Sequence, residues 1–67
     1  MRFRPGEVVR VKEGTHEAGM PAHRVAVVLK EHPEGESYTK MYSIVFLGDD
    51  KPFKFHEMFL ESANESR

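Results

Sequence analysis

Three features of the sequence predict an all-β fold, a small barrel or roll of five short strands. Runs rich in β-branched and aromatic residues recur over 8–12, 24–31, 38–47 and 52–56, and Leu60-Glu61 reads as a short closing strand. Turn signals containing Pro, Gly or Asp separate most of them. Only Glu57-Met58-Phe59 reads as helical, and then as a single 3₁₀ turn. A chain of short strands with almost no helix belongs in a barrel or roll.

In chain order, Phe3-Arg4-Pro5-Gly6-Glu7 is a turn, with Pro5 fixing its own φ and Gly6 supplying the permissive position. The first strand follows, with Val9 and Val11 on one face and Val8, Arg10 and Lys12 on the other. Val9 and Val11 are expected inside, with Phe3 on the same cluster. Residues 13–23 form a long loop containing Gly14, Gly19 and Pro21. A connection of this length is either a crossing between two edges or a functional loop. The second strand, Arg24 to Glu31, leads into a polar turn over 32–37. Tyr42-Ser43-Ile44-Val45-Phe46-Leu47 is the core of the third strand and the longest firm apolar run, closed by Gly48-Asp49-Asp50. Pro52-Phe53-Lys54-Phe55-His56 alternates cleanly, and its leading proline suits a strand start or a sheet edge. Residues 1–62 make one domain, and 63–67 read as a frayed polar tail.

Size and composition narrow the function classes. A 67-residue chain buries only about 60% of its unfolded surface, so its core is one cluster without room for a reaction chamber. There is no cysteine, hence neither disulfides nor a thiolate zinc site. Arg2 and Arg4 precede no apolar segment of the secretory type, and no apolar run approaches the roughly 20 residues that span a bilayer. A cytoplasmic protein without membrane contact is the expectation. Ten Lys and Arg stand against eleven Asp and Glu, interspersed, so the chain as a whole has no electrostatic pull on nucleic acid.

Both of the longer strands carry apolar residues on two faces. If Val25, Val27 and Leu29 point inward, Ala26 and Val28 point outward; if Tyr42, Ile44 and Phe46 point inward, Met41, Val45 and Leu47 point outward with Val8. Either the long loop and C-terminal segment cover this outer set, through Met20, Met58 and Phe59, or it is a surface for a partner or a second copy.

The order of features resembles the SH3-like small barrels. Pro5-Gly6-Glu7-Val8-Val9-Arg10-Val11 resembles their opening strand, Val25 to Leu29 the strand entered after a long loop, and Tyr42-Ser43-Ile44-Val45-Phe46 with Gly48 their central strand. Residues 56–61 resemble the 3₁₀ turn and last strand that close such barrels. One group with this fold comprises the accessory barrels of electron-transport complexes and nitrile hydratase, such as the small barrel subunit of photosystem I and the variable chain of ferredoxin–thioredoxin reductase. That likeness implies a non-catalytic subunit that docks protein partners. The other group, KOW and Tudor-like, implies binding of RNA, ribosomal or polymerase surfaces, or methylated peptides. Gly14 and Gly19 resemble parts of a KOW loop, but His23-Arg24 stands where that loop has a glycine, and Glu13 and Glu17 where it has lysines. A methyl-lysine cage needs several loop aromatics, and the early loop has none.

No residue set announces catalysis. His16, His23, His32 and His56 lack ligand-like spacing, so no metal or other cofactor is expected. His56 and Glu57 are chain neighbours that point oppositely, and Asp49 and Asp50 suit a turn. The expected function is a non-enzymatic protein-binding or adaptor subunit, its contact residues His16, Met20, His23, Tyr38, Met41, Val45 and Leu47. A chain of this size also suits a phage or mobile-element product aimed at a host complex. The alternative is a nucleic-acid module using Arg10, Lys12, Lys40, Lys51 and Lys54, with Phe53 and Phe55 either stacking on bases or completing the core.

Overall fold

A computed structural model of the chain describes residues 3–32 and 40–63. Five antiparallel strands form one sheet: β1 (Val8–Val11), β2 (Val25–His32), β3 (Met41–Phe46), β4 (Pro52–His56) and β5 (Leu60–Ser62), in spatial order β4-β3-β2-β1-β5. A 3₁₀ turn, Glu57–Phe59, joins β4 to β5 as the sequence predicts. Of the turn expected over 32–37, His32 instead ends β2, and residues 33–37 lie outside the described residues with Tyr38 and the tail residues 64–67. Ala63, assigned to the tail, donates its N–H to the Val8 carbonyl at 3.1 Å and so continues the β1–β5 ladder.

The chain enters the sheet through Arg4-Pro5-Gly6-Glu7, where Glu7 N–H bonds Arg4 O at 3.0 Å and Gly6 adopts φ 91°. Proline second and a positive-φ glycine third define a type II turn. The turn delivers Phe3 onto the core, where its N–H donates to the Tyr42 hydroxyl at 3.2 Å and its ring meets Tyr42 edge-on at 5.5 Å.

One face of the sheet carries the core: Phe3, Val9, Val11, Ala26, Val28, Tyr42, Ile44, Phe46, Phe55 and Leu60, with Met20 and Phe53 packed against it. Every strand contributes, including both edge strands. The assignment of β1 and β3 agrees with this, but the expected orientation of β2 is reversed. Ala26 and Val28 are 0% and 1% exposed, whereas Val25 and Val27 are half-buried on the other face and Leu29 is 47% exposed. Register is the cause. Ala26 lies opposite Val9 and Phe46, and Val28 opposite Ile44, and cross-strand partners share a face. Both faces of β2 are apolar, so its own pattern could not choose between them.

A bulge lies between Val28 and Lys30, and Leu29 has no partner on β3. The extra residue shifts the phase, so that Lys30 pairs with Ser43, Glu31 with Tyr42 and His32 with Met41. Closure is the second correction. The expected barrel is an open sheet, because among the described residues β4 pairs only with β3 and β5 only with β1. The sheet curls far enough for Phe55 of β4 and Leu60 of β5 to join one cluster, but its edges do not meet in a ladder.

Candidate functional site

The outer face is built from cross-strand rows. Val8, Val27, Val45 and Pro52 are successive partners across β1, β2, β3 and β4, an apolar row spanning four strands. On one side of it run Lys30, Ser43 and Lys54, then His32, Met41 and His56. The His32 imidazole Nε2 and the Ser43 hydroxyl are 2.7 Å apart. On the other side lie Arg10 and Val25, partners in register, with Glu61 beyond Arg10. Leu47 follows Phe46 at 50% exposure, its N–H bonded to Val25 O at 3.0 Å.

The long loop reaches both the inner cluster, through Met20, and the margin of this face, through residues 15–17. Met20 packs against the core beside Phe53, and a Cβ on Gly19 would lie 3.7 Å from the Phe53 ring. The loop therefore closes over the inner cluster, contrary to the expectation that Met20 shields the outer set. Met58 and Phe59 are 52% and 37% exposed, and Phe59 shares a cleft with Met41 of the outer set.

Two adjacent residues hold the loop in place. Arg24 adopts φ 60°, the single positive φ among described non-glycine residues. Its Nη1 donates to the carbonyls of Lys12 (3.1 Å) and Thr15 (2.9 Å). The backbone here has the conformation that glycine favours, and the arginine side chain ties both ends of the turn after β1. His23 accepts the Val25 N–H at Nδ1 (3.0 Å), which leaves Nε2–H to donate to Leu47 O (3.1 Å). The ring also meets Phe46 edge-on at 6.4 Å.

A cleft of about 240 Å³ opens between the loop tip at 15–17 and Met41, Lys54, His56 and Phe59, with Phe55 also lining it. The imidazole of His56 stands edge-on to Phe59 at 6.2 Å. This cleft lies beside β4, an edge strand of the sheet.

The expected contact residues thus fall into separate places. Met41 and Val45 are on the outer face, Leu47 is at its margin, and His16 is at the cleft. Met20 and His23 are committed to packing and backbone bonds. The expected cations disperse. Lys40 pairs with Glu31 at 3.4 Å, Arg10 has Glu61 as its cross-strand neighbour, Lys51 stands in the β3–β4 turn beside Asp50, and Lys12 follows β1. Lys54 faces Ser43, across which stands Lys30, a cation that the sequence pattern does not single out. Val27 is likewise absent from the outer set that the sequence predicts; pairing with Val8 and Val45 is the signal that places it there. Among the described residues no group of three or more His, Asp and Glu is set to hold a metal ion. No helix among them is long and apolar enough to cross a membrane.

With protein-family models, curated proteins and solved structures as comparisons, no match to this chain is found.

Proposed function

We propose that this protein is a small non-catalytic binding module of SH3-like character, an adaptor or accessory subunit that docks a protein partner through its outer face. The observation that carries this reading is the row Val8-Val27-Val45-Pro52, partly exposed at the three valines and exposed at Pro52, with Leu47 at its margin. An apolar row of this kind, rimmed by Lys30, Lys54, Arg10 and Glu61, has the make-up of a protein contact: an apolar centre and a charged border. Affinity capture from source lysate, with the wild type beside Val45→Glu and Leu47→Glu, tests it. Stoichiometric recovery of one protein by the wild type, reduced at least tenfold in both variants, is expected. No stoichiometric species with the folded wild type would remove the reading.

Nucleic-acid binding is the second reading, favoured only by Lys30 and Lys54 flanking Ser43 on one face. A gel shift at low salt that weakens steeply as salt rises supports it, and a flat titration excludes it.

A further inference from the structure

We propose a second docking site on this protein: the free edge of β4, which takes an extended peptide segment as an added strand, with an acidic residue opposite Lys54. The inference rests on the reading of the chain as a binding module but not on the outer face.

The hydrogen-bond phase comes first. Glu57 N–H donates to Lys40 O at 2.8 Å, in the same register that pairs Tyr42 with Phe55 and Ile44 with Phe53. In an antiparallel ladder, hydrogen-bonded pairs alternate with non-bonded ones. Phe53 and Phe55 therefore direct their amides and carbonyls at β3, whereas Pro52 and Lys54 direct theirs away from it. Pro52 has no N–H to leave unpaired, and no described strand lies beyond Lys54 to receive its outward groups. β4 is an edge strand, so this outward row is a template for another chain.

Next comes space. The cleft opens beside this edge, lined by Lys54, Phe55 and His56 of β4, Met41 of β3, the loop tip at 15–17 and Phe59. Arg24 holds the base of that loop through the Lys12 and Thr15 carbonyls, so the far wall is preformed.

Charge selects the occupant. A second copy adding through the same edge about a two-fold axis at Lys54 would set Lys54 against Lys54, and like charges directly opposite are unfavourable. Pro52 denies such a pair one donor in each chain. A partner strand with a carboxylate at that position gains instead of losing. Glu17 is the carboxylate of the cleft, and it stands on the loop wall, whereas Lys54 is on the edge itself. Backbone bonds would thus supply affinity and Lys54 the preference, as in other strand-addition sites.

Two capped peptides of alternating threonine and valine test this, one with a central glutamate and one with lysine in its place. Amide chemical shifts and hydrogen exchange are followed on the whole protein. The glutamate peptide is expected to shift and protect the Lys54 amide and to bind on the order of fivefold more tightly than the lysine peptide. Lys54→Glu should reverse that order. Lys54→Pro removes the outward N–H together with the lysine charge, takes no bond from the β3 ladder, and should abolish binding of both peptides, including the lysine peptide that the charge disfavours. Val45→Glu, which tests the outer face, should leave peptide binding unchanged. Absence of protection at Lys54 with either peptide, or equal affinity for both, would overturn the proposal even if the outer face captures its partner.

Discussion

Arg24 is held at φ 60°, a conformation that costs a side-chain-bearing residue about 1–2 kcal/mol, and it is held there by its own guanidinium. The sequence shows a departure at this point, arginine where a KOW-like loop has glycine. The structure shows that the backbone here has a geometry glycine favours and that the side chain tethers the loop. Arg24→Ala should therefore destabilise the fold by about 1–2 kcal/mol, because the strain stays and the bonds to Lys12 and Thr15 go. Arg24→Gly should recover about 1 kcal/mol of that by relieving the strain. Urea unfolding of the three proteins checks the order, and an alanine variant as stable as the wild type would refute the tether. His23 illustrates the opposite limit: a loop histidine looks like a contact residue until both ring nitrogens are found bonded to the backbone of residues 25 and 47.

At the level of elements, β2 is the instructive strand. Val25, Ala26, Val27 and Val28 are apolar without interruption, so period two yields two equivalent faces and no rule for choosing. Pairing with Val9 on one side and with Ile44 and Phe46 on the other selects Ala26 and Val28, and the small side chain of Ala26 sits opposite the bulky Phe46. Threonine substitutions separate the faces. Val28→Thr buries a hydroxyl in the core and should cost about 1–3 kcal/mol, whereas Val27→Thr on the half-exposed face should cost less than about 0.5 kcal/mol. Equal losses in urea midpoint would contradict the register of β2 against β1 and β3. β4 needs no such arbitration. Phe53 and Phe55 alternate with Lys54 and His56, and polar alternation names the inner face directly.

On the scale of the whole molecule, one core receives side chains from all five strands, although among the described residues β4 and β5 each have a single neighbour. Stability should therefore be graded across the sheet. The ladder amides of β2 and β3, at Val27, Ile44 and Val45 among others, lie in strands flanked on both sides, while β5 has three residues and one neighbour. Native-state hydrogen exchange should find the β2 and β3 amides slowest and the β5 amides fastest, with the outward Lys54 amide unprotected when no peptide is present. Protection of β5 equal to that of β3 would argue for a closed barrel.

The open sheet could not be read from residues. Strand lengths and the 3₁₀ turn suggest a closing barrel, yet closure depends on whether β4 and β5 come within pairing distance. That is a property of accumulated twist and curl. The same holds for the outer row, which exists only because Val8, Val27, Val45 and Pro52 come level in register. Of the expected contact residues, Met41, Val45 and Leu47 were legible because alternation from Tyr42, Ile44 and Phe46 puts them opposite the core. Met20 was not, because a loop has no periodicity to say which cluster it joins.

By itself the sequence determined where the described strands and the turns at Pro5-Gly6 and Gly48-Asp49 fall, since alternation, β-branched runs and turn dipeptides are local signals that act over a few residues. Tertiary structure alone decided which side of β2 is buried, that the sheet stays open, and that Lys54 stands on a free edge. Those outcomes depend on contacts between segments distant in the chain, such as Ala26 with Phe46, and distance in sequence leaves no periodic trace for a reader to follow.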